Sequence, residues 1–585
     1  MTLKNKKLRN IIKQKKDFTM QRLFTEHKKR HVASLDGGFT FKTDEKNVGE
    51  AETWYKSELN GQTVVVPSVW NSTDGLLEYE GVCWYEKKFF CEGGTLRFKF
   101  GAVMTYAKVY FDGEYLGDHY GGFTSFDFIV NEVKSGEHRL TVRVDNSFDE
   151  SSIPQAFVDW YHYGGITRSV DVERLSGISI LGAKFDYTLE SSTAVSRLTF
   201  EAYNAEKCEI RDTVRFFIDN NKVCEAEIAL GAGERKIFET SKFNIENVSL
   251  WSPNTPVLYT LKCESGSDDL YDRIGFRALL VKGHDVYLNG EKFRFLGVNR
   301  HEENADFGMA FPPQLMMRDI DIIKNANCNS IRGSHYPNNK IFIDMLDEAG
   351  VTFWSEIPIW GGGFSPEALK NPAVLKRGLK MLEEMVWQYY NHPSIFIWGM
   401  HNEIRSDTKE GYEMSKLYFD FLKKNGSNRI ITYASNTYLE DICLEFTDVI
   451  SVNIYCGWYD NGFSCINDFF GKYDKKLKEL GIDKPIMITE FGAAAIYGHH
   501  TFDNLPWTEE YQASLISETI DDIFSRKEYV GSYVWQFADI RTAKEMGLNR
   551  ARGFNNKGIV NEYRRPKLAY HAVKNSYRKW KIKNV

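Results

Sequence analysis

Between residues 293 and 359 the chain reads FRFLGVN (293–299), QLMMRDIDIIKNA (314–326), NSIRGSH (329–335), NKIFIDMLDEAG (339–350) and VTFWSEIPI (351–359). Apolar strand runs alternate there with longer amphipathic stretches, the grammar of parallel strands joined by crossover helices. After Pro313, Met316, Ile320 and Ile323 share one helical face while Arg318 and Asp321 fall on others. The alternation continues through SIFIWGMHNE (394–403), RIITYAS (429–435), DVISVNIY (448–455), PIMITEFG (485–492) and GSYVWQFAD (531–539). Eight candidate strands in roughly 300 residues match the size of a (β/α)₈ TIM barrel, assigned to residues 277–585.

Upstream of the barrel the text is different. From Ser34 to Leu175 it consists of short alternating strands such as VVVPSVW (64–70), TLRFKFGA (95–102), AKVYFDGEYLG (107–117) and HRLTVRVDN (138–146). This period-two pattern, with Asp112-Gly113 as a two-residue hairpin turn, predicts a jelly-roll, sugar-binding-like β-sandwich over residues 20–175. Further short strands, SRLTFEAYN (196–204), DTVRFFIDN (212–220) and VLYTLKC (257–263), predict an immunoglobulin-like β-sandwich over residues 176–276. Residues 1–19 carry seven Lys or Arg against one Asp and read as a disordered basic N-terminal extension, with Met20 as an alternative start.

Length and composition agree with a multidomain globular protein. A chain of 585 residues implies about three to five folding units. Its net charge of -6 offers no cationic excess to hold a phosphate backbone, which argues against nucleic acid as a partner. Nine scattered cysteines without a C-x-x-C pair signal neither a disulfide framework nor a zinc knuckle and fit a reducing cytoplasm. No apolar run reaches the 18 or so residues of a membrane span, and the N-terminus lacks the apolar core of a secretion signal.

In a barrel of this kind the C-terminal strand ends build the site. Polar residues stand there after each of several strands: Asn299, Arg300 and His301; His335 and Tyr336; Glu356; Asn402 and Glu403; Tyr455 and Tyr459; Glu490; Trp535. Glu403 and Glu490 each close a near-continuous apolar run, so both carboxyls point to one cleft. One such Glu alone more often caps a helix or pairs with a rim Arg. Two in one barrel, with Trp458, Tyr459 and Trp535 available to stack on sugar rings, point instead to glycosidic cleavage. A separation of about 5–5.5 Å would make the cleavage retaining. Other motifs are absent: HEENA (301–305) lacks the second His of a zinc protease, GGG (361–363) lacks the G-K-[ST] of a phosphate loop, and there is no G-x-S-x-G.

The order sandwich, immunoglobulin-like domain, barrel, together with GVNRHEE (297–303), IRGSHYPNNKIFIDMLDEAG (331–350), HPSIFIWGMHNE (392–403), PIMITEFG (485–492) and VWQFAD (534–539), resembles glycoside hydrolase family 2 from about residue 20 onward. The resemblance implies that Glu403 is the general acid/base, Glu490 the nucleophile, and Asn402 a ligand of the sugar 2-hydroxyl. Asn555-Asn556-Lys557-Gly558 looks like the Asn-x-Lys signature of the β-glucuronidase branch, in which Asn555 and Lys557 would grip the C6 carboxylate. Asp159 in VDWYHYGGITR (158–168), His335, Tyr455 and Tyr459 in NIYCGWYDNGF (453–463), and Trp535 are the further sugar contacts this branch implies.

A charged uronate entering a cleft with two glutamates makes an ammonium and an amide donor sensible counterweights. The branch implies no required cofactor, no metal and a homo-oligomer, and nothing in the residues assigns a flavin. Where many glucuronidases have Arg four residues before the motif Asn, this chain has Ala551 between Arg550 and Arg552. The short, Gly-rich WGGGFSPEALKNP (360–372) predicts an open mouth that admits a glucuronide of a large aglycone or a uronate-containing oligosaccharide. Two alternatives stand beside the glucuronidase reading: a β-galacturonidase or β-galactosidase of the same family, and a carbohydrate-binding protein without catalysis.

Overall fold

The computed structural model describes residues 21–459 and 465–583, so the basic extension and Met20 lie outside the described residues. His31–Leu175 forms two packed antiparallel sheets. One has the spatial order 31–34, 170–175, 94–100, 126–133; the other runs 62–66, 37–44, 82–91, 136–145, 106–111, 114–120. Alternate residues of both sheets meet in a core that includes Phe39, Tyr85, Phe98, Phe100 and Val142. Asp112 (φ 50°) and Gly113 (φ 85°) make the tight turn between paired Phe111 and Glu114, as the sequence predicts.

A second sandwich spans Ile178–Ile274, with 178–190, 193–204 and 235–239 in one sheet and 221–230, 210–218, 259–264 and 269–274 in the other. Phe200, Phe216 and Leu261 are fully buried between them.

The barrel is closed and has eight parallel strands: β1 Phe295–Asn299, β2 Ser330–Gly333, β3 Thr352–Glu356, β4 Ile395–Asn402, β5 Ile430–Ser435, β6 Ile450–Asn453, β7 Ile486–Glu490 and β8 Tyr529–Val534. Every residue of these strands is buried, which is why most of them read as largely apolar runs, with Arg332 in SIRG the charged exception inside a strand. Each fully buried Ile, Val or Phe contributes about 1.5–3 kcal/mol.

Two features depart from the regular alternation. A three-stranded antiparallel sheet, 279–282, 285–288 and 291–293, precedes β1, and its Val286 and Leu288 pack with Phe295, Trp354, Phe396 and Tyr533 to plug the barrel floor. Between β5 and β6 the crossover is two single 3₁₀ turns, Tyr438–Glu440 and Leu444–Phe446, and not an α-helix. Asp441 holds that connection by accepting from the Tyr433 hydroxyl (2.9 Å) and the Cys443 amide (2.8 Å).

Buried ion pairs lock the three units together. Arg22 donates to Asp344 on the helix Lys340–Ala349 (2.9 Å) and to Asp272 of the second sandwich (2.7 Å). Arg168 of the first sandwich donates to Glu302 above β1 (2.9 Å).

Candidate active site

The residue after β4 and the last residue of β7 set two carboxyls at the C-terminal mouth. Glu403 follows β4 in a left-handed conformation (φ 52°) that costs a non-glycine residue about 1–3 kcal/mol. Its amide donates to the Ala434 carbonyl (2.8 Å), and the backbone of Gly361 lies against its own carbonyl. A Cβ at position 361 would fall 1.6 Å from that oxygen, so the close approach requires glycine there. Oε1 of Glu403 accepts from Asn453 Nδ2 (2.8 Å).

Glu490 is held differently. Its Oε1 accepts from Arg332 Nη1 (2.7 Å) and its Oε2 from the Tyr455 hydroxyl (2.8 Å). Arg332, fully buried in the middle of β2, also donates to Glu356 (2.8 and 3.0 Å), to Asn402 Oδ1 (2.7 Å) and to Asn299 Oδ1 (3.1 Å). Burial, reinforced by the Glu490 charge, pushes the Glu403 carboxyl up to about 8. Burial also raises Glu490, but Arg332 and the two hydrogen bonds oppose it. The environments therefore separate a carboxyl pushed up to about 8 from one whose rise Arg332 and two hydrogen bonds hold in check.

The floor between them carries polar groups with unused capacity. Asn402 Oδ1 is taken by Arg332 and by Asn453 (3.1 Å), which fixes the amide and leaves its buried Nδ2 without a protein partner. His301 Nε2 is likewise unpartnered, while its Nδ1 lies 3.1 Å from the Tyr336 hydroxyl. His335 sits 2.8 Å from Glu356, and its ring stacks on Trp535 with centroids 5.1 Å apart. Trp160, reaching in from the first sandwich, packs on both histidines at 5.7 and 5.4 Å.

At the other end stands a cationic cluster. Asp159, also from the first sandwich, accepts from Arg550 Nη2 (2.7 Å) and Asn555 Nδ2 (2.9 Å). Lys557 is 1% exposed; its Nζ donates to the Tyr459 hydroxyl (2.7 Å) and lies 5.7, 5.8 and 4.8 Å from the Tyr455, Trp458 and Tyr459 ring centres. Lys557 has no carboxylate partner among the described residues, and burial lowers its pKa. Burial would raise the Tyr459 phenol, yet Lys557 and Arg550 outweigh it and hold the phenol below its ordinary value. Of the two arginines that flank Ala551, Arg550 joins this cluster, whereas Arg552 turns away to Glu562 (2.8 Å).

All ten residues selected from sequence thus fall in two contiguous groups: Glu403, Glu490, Asn402, Tyr455, His335 and Trp535 around the carboxyl pair, and Asp159, Asn555, Lys557 and Tyr459 around the cationic end. Sequence reading passed over Arg332, Asn453 and Trp160 as members and left Arg550 and Arg552 as alternatives. A charged residue inside an apolar strand was the available signal for Arg332, and adjacency to Asp159 that for Trp160. Elsewhere, His27 with Asp268 and Asp269, and Asp344 with Asp347 and His392, are close enough to hold a cation. Arg30 already occupies Asp268 (3.0 Å) and Arg22 occupies Asp344, so an ion would have to displace an arginine.

Comparison with known proteins concerns the three domains. The family described as glycosyl hydrolases family 2 matches by its sugar binding domain over residues 32–175, by its central domain over 179–277 and by its TIM barrel domain over 279–582. The chain is 28% identical to a Paenibacillus borealis beta-glucuronidase, covering 94% of this chain and 97% of that one. It is also 28% identical to the Homo sapiens beta-glucuronidase, covering 96% and 92%. Among solved structures it is similar to a beta-galacturonidase from Eisenbergiella tayi bound to galacturonate (35% identity, TM-score 0.89, covering 96% and 99%). A Ruminococcus gnavus beta-glucuronidase in complex with D-glucaro-d-lactam is similar as well (26%, TM-score 0.83, covering 95% and 99%).

Proposed function

The chain belongs to glycosyl hydrolase family 2 and is a glycoside hydrolase, and from that premise we propose that it is a retaining β-glucuronidase. Glu490 attacks the anomeric carbon as Glu403 gives its proton to the departing glycosidic oxygen, leaving a glycosyl ester on Glu490. Water then attacks that carbon, Glu403 takes the water's proton, and the ester bond breaks with a second inversion. Asn402 Nδ2 is placed to donate to the sugar 2-hydroxyl. Tyr455 and Arg332 keep the nucleophile oriented and ionised.

The observation that carries the uronide reading is the buried, carboxylate-free ammonium of Lys557 beside Arg550 and Asn555. An unpaired buried charge is costly, and a substrate C6 carboxylate supplies the missing partner. Relatives named beta-glucuronidase support glucuronide as the sugar. A second reading, β-galacturonide, is favoured by the 35% identity to the Eisenbergiella tayi enzyme.

We further assign residues 1–19 to a basic extension, 20–175 to a sugar-binding-like sandwich, 176–276 to a spacer and 277–585 to the catalytic barrel. The enzyme acts as a cytoplasmic homo-oligomer without a cofactor. Among the described residues no helix is long and apolar enough to cross a membrane.

The test is kcat/KM on p-nitrophenyl β-glucuronide, β-galacturonide and β-galactoside for wild type and Lys557→Ala. The expected result is preference for the glucuronide and a loss in Lys557→Ala of about 1.5–3 kcal/mol, roughly 10- to 150-fold. Preference for the galacturonide with the same Lys557 dependence moves the assignment to the second reading. Preference for the galactoside, or indifference to Lys557→Ala, removes both.

A further inference from the structure

Trp507 holds a backbone conformation that its side chain disfavours. Its φ is 76°, in the left-handed region where a bulky residue is an outlier and where Gly or Asn sits with less strain. The conformation itself has a local reason. Trp507 bridges to Ala495, its carbonyl accepts from the Ile496 amide (3.1 Å), and the chain must then turn directly into the helix Glu509–Phe524, capped by Thr508. Nothing in that turn calls for an indole.

What the indole touches lies across the cleft rim. Its ring meets Trp458 edge-on with centroids 5.2 Å apart, and the Trp458 ring centre is 5.8 Å from Lys557 Nζ. One turn into the same helix, the Tyr511 hydroxyl donates to the carbonyl of Gly457, the residue before Trp458. The Ala495 amide, at the neck of the loop, donates to the Asn556 carbonyl (3.0 Å), beside Lys557. The helix start and the loop before it thus contact Gly457 and Trp458 on one side and, through Ala495 and the Gln512 amide that donates to the Lys557 carbonyl (3.3 Å), Asn556 and Lys557 on the other.

We propose that Trp507 is a positioning residue for the substrate carboxylate: it wedges Trp458 against Lys557 and so keeps the ammonium stripped of water and aimed for charge-assisted binding. The claim rests on the uronide reading above. A desolvated cation enclosed by aromatic rings is a stronger partner for an anion than a hydrated one. Backbone strain retained at one residue beside the clamp is the corresponding cost to the fold.

The experiment is a double-mutant cycle on the full-length enzyme with Trp507→Asn and Lys557→Ala, with Trp507→Phe as the conservative control. Trp507→Asn relieves the backbone and removes the ring. It should raise KM for the glucuronide and Ki for free glucuronate about tenfold while kcat stays within about twofold. Trp507→Phe should restore most of the wild-type KM. In the Lys557→Ala background Trp507→Asn should lose nothing further, because the ring acts through the ammonium. Additive losses, an unchanged KM, or a fall in kcat that tracks a fall in Tm overturn the proposal. If Lys557→Ala alone is silent, the uronide reading fails first, and the two failures are told apart.

Discussion

Arg332 donates to Glu490 at 2.7 Å, while the hydrogen bond that Glu403 receives comes from the neutral Asn453 at 2.8 Å. One cation thus stabilises the ionised form of the first carboxyl, and the second is left to burial and to its neighbour's charge.

This difference sets the pH profile. In the proposed mechanism the carboxyl of Glu490 is ionised and that of Glu403 protonated, so kcat/KM should rise as the pair loses its first proton above the ordinary carboxylate range and fall near pH 8. Tyr455→Phe removes a hydrogen bond that lowers Glu490. In that variant the acid limb should move to higher pH while the basic limb stays in place, as initial rates from pH 4 to 10 would show.

The same shift bears on stability. Glu403 rises from 4.5 in the unfolded chain to about 8 in the native site. Between those values the native state binds a proton that the unfolded state has released, so stability falls as pH rises through that window. Glu403→Gln removes the penalty. Its Tm should exceed that of wild type at pH 8 and converge with it below pH 4.5; a constant offset across the range would refute the linkage.

Arg550 and Arg552 differ by two positions and should differ sharply in effect. Arg550→Ala removes a donor to Asp159 and Tyr459 and should reduce kcat/KM on the glucuronide by about tenfold or more. Arg552→Ala breaks a pair whose arginine is half-exposed and should stay within about twofold. Parallel kinetics on the two variants decide it.

Gly361→Ala places a methyl 1.6 Å from the Glu403 carbonyl oxygen. The backbone that fixes Glu403 must move, and a displacement of that size costs about 10²-fold in rate. Measured kcat should fall on all substrates alike, in contrast to the substrate-specific losses at Lys557 and Arg550.

Much of the barrel was legible because strands buried on both faces leave an apolar run with a polar residue at its end, and Glu403 and Glu490 are such ends. The 3₁₀ crossover after β5 was not legible: NTYLEDICLEF differs from a helical segment mainly in the hydrogen bonds Asp441 makes in three dimensions. Nor was the floor sheet, since 279–293 has the same short alternating text as the sandwiches before it. Arg332 reads as an intruder in SIRG because its four carboxylate and amide partners come from the ends of four other strands, which only the closed barrel brings around it. The choice between Arg550 and Arg552 depended on Asp159, almost 400 residues away in the chain.

That long-range contact has a historical consequence. Asp159 stands on a loop of the first sandwich, whereas the residues that break the bond belong to the barrel. Loops accept substitution more readily than strand ends do. A descendant lineage can therefore rewrite 158–162, and with it the partners of Arg550 and Asn555, while inheriting the barrel's strand ends intact.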